Sequence, residues 1–330
     1  MKCRGVAVAL LFATLLATAQ DDVHIVPRIK PQPKDAAAPK LPGEVIKVNV
    51  DLALIPVVVT DDKGNPFPGL QQGHFRLDYD GKPAEIKHFS EDDAPVSIGL
   101  IFDRSGSMGW KIDNAKAIIK SFEAQVNPDD EIFLITFADT IDSTDFASVT
   151  EEIDSRMLFV GSKGRTSMLD AVYYGLTKMR TAKYQRRALI IVSDGGDNHS
   201  RYTENEVKRV VEESDVQVFS IALVNRECMT MDVPGGPHNE CSTEEKQGPF
   251  ILEELAQKGG GMSYLLDNPK DIETAADTIG KTLRQEYILG FNPHMEHNTK
   301  YHKVRVKLQR LPKGLPILRV DAKRGLYGTE

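Results

Sequence analysis

Val96-Ser-Ile-Gly-Leu-Ile-Phe-Asp-Arg-Ser-Gly-Ser-Met108 is an apolar run that ends in a polar turn. The run has the length and content of a strand buried on both faces, the kind found at the centre of a parallel sheet. Its end sets Asp103, Ser105 and Ser107 at two-residue spacing, and alternate positions of an extended chain project to one side. One carboxylate and two hydroxyls therefore converge beyond the strand's carboxyl end, where open α/β sheets bind ligands. That donor set suits a hard cation. Mg²⁺ takes about six oxygen ligands and keeps water or an outside ligand in several of them.

Outward from this stretch the pattern is one of strands alternating with amphipathic helices. Strands are expected at Val96–Phe102, Glu131–Phe137, Ala188–Ser193, Val216–Leu223 and Met262–Leu266. Helices are expected at Ile112–Val126, Ser167–Thr181, Glu204–Ser214, Pro249–Lys258 and Pro269–Gln285. The alternation argues for a doubly wound, mostly parallel α/β sheet covered on both faces. The flanks read differently. Val45–Thr60 alternates and then runs apolar, and Phe75, Leu77 and Tyr79 alternate up to the hairpin signal Asp80-Gly81. Tyr287–Phe291, His302–Leu308 and Leu315–Val320 repeat the alternation near the other end. The expected organisation is a leader at 1–19, a Pro/Lys/Ala-rich linker at 20–43, and a small β-sandwich-like domain built from 44–95 and 286–330. The α/β domain, 96–285, is inserted into it.

Two further segments bear on the metal reading. Thr166, in Gly161-Ser-Lys-Gly-Arg-Thr-Ser-Met-Leu-Asp170, opens an apolar helix, and Asp194 ends the buried run Ala188–Asp194. With Asp103, Ser105 and Ser107 they resemble the von Willebrand factor A (VWA) family, whose metal-ion-dependent adhesion site has the pattern D-x-S-x-S, a loop Thr and a distal Asp. The resemblance runs from about Val96 to Arg284, and all five ligand positions match without substitution. The flanks, with Asp80-Gly81 and Asp93–Gly99, look more narrowly like secreted A-domain proteins of acidobacteria. The family likeness implies a Rossmann-like fold and a bound Mg²⁺, with Mn²⁺ or Ca²⁺ as alternatives. It also implies a protein partner whose Asp or Glu completes the ion's coordination. The expected function is an exported, metal-dependent adhesion or assembly module, not an enzyme. Two other readings stand beside it: an envelope module in which the ion only fixes loops, and a metal-dependent hydrolase.

Composition sets the remaining bounds. Lys2 and Arg4 precede the apolar run Val6–Leu16, and Ala17-Thr-Ala19 offers small residues for cleavage, the form of a secretory signal peptide. The apolar run is too short to span a bilayer. Loss of the leader takes the formal charge from −7 to −9, because residues 1–19 hold two basic residues and no acidic one. An acidic chain is a poor match for nucleic acid. Cys3 leaves with the leader, so Cys228 and Cys241 remain as an even pair, expected to form a disulfide in an exported protein. Closing that loop contributes about 3 kcal/mol in the chain-entropy model; two unpaired thiols in a polar loop are the alternative. Gly161–Ser167 is not a phosphate-binding loop, since its glycines are three apart and Arg165 stands where Lys is required. Ser105-Gly-Ser-Met-Gly109 is not G-x-S-x-G, and nothing fixes a base beside either serine. His294, His297 and His302 lie in a polar stretch without cysteine and read as solvated.

Overall fold

The computed structural model describes residues 52–91, 93–111, 122, 127–147, 164–224, 242–268, 270–293 and 300–327, without the side chains of 109–111 and 270. The leader 1–19, the linker 20–43, residues 44–51, the pair Cys228 and Cys241, His294 and His297, and the expected helix Ile112–Val126 apart from Phe122 lie outside that set.

The α/β part contains a six-stranded sheet. Its strands are β5 (Val96–Asp103), β6 (Glu131–Phe137), β7 (Ile141–Ser143), β8 (Arg186–Ser193), β9 (Gln217–Leu223) and β10 (Ser263–Leu266), in the order β10-β9-β8-β5-β6-β7. All neighbours are parallel except the edge pair β6–β7. β5 and β9 are buried along their whole length, which is why they read as unbroken apolar runs. On one face Ile272, Ala275, Ala276, Ile279 and Leu283 of helix α4 (Lys270–Arg284) join Phe122 and Met108 over Ile98, Leu100 and Ile190. On the other, α1 (Met168–Met179), α2 (Glu204–Glu213) and α3 (Thr243–Gly259) cover Ile101, Ile135 and Ile191. Each fully buried Ile, Leu or Phe contributes about 1.5–3 kcal/mol, so the two apolar layers hold the sheet between its helices.

The β part draws on both flanks of the chain. One sheet has the order β13-β1-β11-β4, from Arg319–Ala322, Ala53–Thr60, Tyr287–Phe291 and Ile86–Ser90. The other has the order β14-β12-β2-β3, from Gly325–Tyr327, Tyr301–Leu308, Phe75–Tyr79 and Lys82–Ala84. β1 lies between two C-terminal strands, with Val57 opposite Tyr287 on one side and Ala322 on the other. Ile55, Val57, Phe75, Leu77, Leu289 and Phe291 fill the space between the sheets. The fold class is the expected one: a doubly wound, mostly parallel sheet carrying extra antiparallel sheets of sandwich form. Asp80 (φ 49°) and Gly81 (φ 79°) form the β2–β3 turn with two positive φ angles, as a tight primed turn requires. Asp80 also accepts the Lys303 amide at 2.8 Å and pairs with His302 at 2.8 Å. His302 is therefore tied to the hairpin and is not a free metal ligand.

A buried ionic group secures the two crossings between the parts. Arg186 donates to Glu286 Oε1 from Nε (2.8 Å) and Nη2 (2.7 Å), and to the carbonyls of Ala94 and Leu283. Arg284 reaches both Asp93 and Asp130 at 2.8 Å, and Asp130 Oδ1 caps the amide of Val96. Among the described residues no helix is long and apolar enough to cross a membrane.

Some element limits differ from expectation for local reasons. Helix α3 starts at Thr243 and not at Pro249, because Ser242 accepts the Glu245 amide while Glu245 accepts the Ser242 amide, a reciprocal cap. The strand expected at Leu315–Val320 falls instead at Arg319–Ala322, and Ile317 is left 77% exposed.

Candidate metal centre

β5 is the first strand of its sheet. Chain order runs from it to β6 on one side and to β8 on the other. Neighbouring strands whose connections leave in opposite directions open a crevice at their carboxyl ends. Asp103 closes β5 and Asp194 follows the last residue of β8, so that crevice lies between the two acids.

Asp103 is fully buried. Its Oδ1 accepts the Ser105 amide at 2.8 Å, which bends the chain back on itself. The bend brings the Ser105 and Ser107 hydroxyls to 3.1 Å from each other. Adjacent oxygens of an octahedron with Mg–O of about 2.1 Å stand about 3.0 Å apart, so the spacing of these hydroxyls fits neighbouring positions of one ion. Asp103 Oδ2 accepts the Ser193 hydroxyl at 2.5 Å, and Ser193 Oγ accepts the Gly195 amide at 2.9 Å. Ser193 was not among the expected site residues. Its part follows from strand register, since Phe102 pairs with Val192 and the next residues of each strand then face one another.

The Thr166 loop is fastened to both acid loops. The Gly106 amide donates to the Gly164 carbonyl at 3.2 Å. On the other side Asn198 Oδ1 accepts the Thr166 amide, and the Asn198 and His199 amides donate to the Thr166 carbonyl. Asp139 Oδ1 accepts the Arg165 amide at 2.8 Å, and Asp197 Oδ2 accepts the Leu169 amide at the start of α1. Asp139, Asp197 and Asn198 thus hold loops in place. They too were missed, because their partners are backbone groups 26 to 32 residues away. All five expected ligands lie on these three joined loops. Asp103, Ser105, Thr166 and Asp194 are buried, and Ser107 is exposed.

Electrostatics favour a cation here. Burial, and then the negative charge of Asp194, push Asp103 up to about 6, against the hydrogen bonds from Ser105 and Ser193 that favour its ionised form. Among the described residues no lysine or arginine pairs with Asp103. Two buried acids that repel each other, beside hydroxyls at octahedral spacing, form a donor set that a small divalent ion would neutralise. Among the described residues no group of three or more His, Cys, Asp or Glu side chains is placed to hold a metal ion; the candidate donors here are two carboxylates and three hydroxyls.

The Asp194 loop rests on α3 through two glycines. Gly195 has φ 81°, and a Cβ on Gly248 would come within 2.3 Å of the Gly195 carbonyl carbon and 2.7 Å of the Asp194 oxygen. Gly248→Ala should therefore cost about 1–3 kcal/mol through overpacking and weaken any ion bound by Asp194. Urea denaturation and a metal titration of that variant check both effects.

No protein-family model matches the sequence. An uncharacterized protein of Borreliella burgdorferi strain B31 is 22% identical over 203 residues, 57% of this chain and 59% of its own length. The chain thus spans less than two thirds of that relative. Among solved structures, a von Willebrand factor type A protein from Catenulispora acidiphila is similar over 84% of this chain and 73% of its own, at 10% identity and a TM-score of 0.45. BatB from Bacteroides thetaiotaomicron is similar over 57% of this chain and 98% of its own, at 19% identity and 0.44. The PilB minor pilin of Streptococcus sanguinis is similar over 59% and 63%, at 14% identity and 0.44. At such identities and TM-scores none of these likenesses bears on what the chain does. The six-stranded sheet with its switch point at β5 is that of a doubly wound α/β fold.

Proposed function

We propose that the protein is an exported, metal-dependent protein-binding module whose ion is held by Asp103, Ser105, Ser107, Thr166 and, through water, Asp194. The observation that carries this reading is the pair of hydroxyls 3.1 Å apart beside a buried, cation-deprived Asp103. When bound, Mg²⁺ supplies Lewis-acid attraction for an oxygen anion. The chain's own residues do the rest. Three neutral hydroxyls leave more of the ion's charge for an incoming carboxylate than a cage of acids would. Ser193 fixes one oxygen of Asp103 and the Ser105 amide fixes the other, so that carboxylate is oriented before any ion arrives. The partner we propose is a protein that presents Asp or Glu at the crevice. Mn²⁺ and Ca²⁺ are alternative occupants.

Export is proposed on the leader-like residues 1–19, and a Cys228–Cys241 bridge on the pairing of the two cysteines left after cleavage. Secreted A-domain proteins of acidobacteria are the nearer kin we propose on the flanking residues.

The ordering of variants tests the ligand set. Ser105→Ala and Thr166→Ala should each weaken Mg²⁺ roughly tenfold or less, because water partly replaces a neutral ligand. Asp194→Ala should lie between these and loss of Asp103. Calorimetry with Mg²⁺ and Mn²⁺ reads the order, and circular dichroism controls for folding. Capture of envelope proteins with Mg²⁺ but not with chelator would support partner binding. A metal that raises the melting temperature while recruiting nothing would make the ion structural.

A further inference from the structure

A groove of about 510 Å³ lies beside the Thr166 loop, lined by tyrosines and aspartates. Its volume is within the range of small-molecule sites. Tyr173 and Tyr202 stack with their ring centroids 3.8 Å apart and their planes at 15°, so each ring fixes the other. Tyr174 is 43% and Tyr202 37% exposed, so aromatic surface is open to whatever enters the groove.

Asp139 and Asp170 belong to the same lining. Asp139 Oδ1 accepts the Arg165 amide at 2.8 Å, and Asp170 Oδ1 accepts the Arg201 and Tyr202 amides at 2.8 and 3.1 Å. These bonds hold the carboxylates in place but bring no opposite charge. The next acids along the chain are already matched, Asp142 by Arg104 at 2.5 Å and Asp145 by Lys178 at 3.6 Å. Among the described residues Asp139 and Asp170 form no ion pair. The lining therefore holds two acids against one base, Arg201. Aromatic faces attract guanidinium and ammonium groups through the ring quadrupole, and unmatched carboxylates at the same place select the same sign of charge. Asp139 holds the Arg165 amide and Ser167 lines the groove, so the groove borders both chain neighbours of Thr166.

We propose that this groove takes a cationic side chain, arginine or lysine, of the protein partner, its head over the Tyr174 and Tyr202 rings and its charge balanced by Asp139 and Asp170. A partner that also reaches the ion would present a basic and an acidic side chain close together. That pairing rests on metal-dependent binding at Asp103; the groove's preference for a cation does not.

The test is an NMR titration of the full chain with N-acetylarginine amide and with N-acetylcitrulline amide, its uncharged analogue of the same shape, both in chelator so that no ion takes part. The arginine derivative should bind in the millimolar range, about what a ligand of fifteen heavy atoms reaches, and the citrulline derivative about fivefold more weakly or worse. Tyr174→Ala removes an exposed ring, and Asp170→Asn removes a charge while keeping an acceptor for the Arg201 and Tyr202 amides. Each should weaken the arginine derivative by about two- to fivefold, with the circular dichroism of wild type. Equal affinity for the two probes, an arginine affinity unchanged in either folded variant, or no binding to wild type would each overturn the proposal. None of those results would touch metal binding at Asp103, and failure of the chain to bind Mg²⁺ would leave the arginine titration as it is.

Discussion

Arg186→Ala is expected to destabilise the protein by about 3–5 kcal/mol at pH 7, the cost of leaving one member of a buried ion pair alone. Glu286 is almost wholly buried, and burial already pushes its carboxyl up, against the attraction of Arg186. Without Arg186 the remaining escape is protonation. The group's folded-state pKa is raised above its unfolded value, so its ionised form burdens the fold only at pH values above the unfolded carboxylate range. The deficit of the variant should therefore shrink as the pH is lowered toward 5. The loss would be felt in both parts of the molecule, because the same guanidinium holds the carbonyls of Ala94 and Leu283 where the chain crosses between them. Urea denaturation at pH 7 and pH 5 checks it. A deficit under 1 kcal/mol at pH 7 would mean that water reaches Glu286.

Asp103→Asn should have two effects of opposite sign. Mg²⁺ affinity should fall by roughly 100-fold or more, beyond the 10–100-fold that loss of an outer-shell partner costs. Metal-free stability at pH 7 should rise. Asp103 has its pKa raised from 3.8 to about 6 on folding, so the ionised carboxylate disfavours the folded state by up to about 3 kcal/mol above pH 6 and by nothing below pH 4. Asparagine removes that charge and keeps an acceptor for the Ser105 amide, so a gain of about 1–3 kcal/mol is expected. Thermal melts in chelator from pH 4 to pH 7 measure it. The wild-type curve should drop relative to the variant across that window. A variant less stable than wild type at pH 7 would show that the hydrogen bonds to Asp103 outweigh its repulsion from Asp194.

Much of this was legible in the chain because the decisive signals are local. An apolar run long enough for a doubly buried strand, a polar turn at two-residue spacing and strand–helix alternation place β5, β6, β8 and β9 and the loop after β5. What the sequence hides is non-local. Ser193 acts on Asp103 only through the register of β8 on β5, 90 residues apart. Asp139, Asp197 and Asn198 serve backbone amides of other segments, and a loop aspartate with that duty looks like any solvated one. β7 is three residues long, too short for a periodicity to show, and β4, Ile86-Lys-His-Phe-Ser90, does not alternate apolar with polar residues. Pro249 is read as a helix start by its fixed φ, yet the Ser242–Glu245 cap two turns earlier prevails and carries the proline inside α3. Glu286 gives no local sign at all; only the packing of the two parts buries it.

Calorimetric titration of wild-type protein with Mg²⁺ at pH 7 and again at pH 5 tests the central claim most directly. If Asp103 must be ionised to hold the cation and titrates near pH 6 without it, one ion should bind at pH 7. The affinity should fall about tenfold at pH 5, where binding must displace a proton. The same protein should bind no ion as Asp103→Ala at either pH. Absence of binding at pH 7, or an affinity indifferent both to pH and to Asp103, would contradict the account.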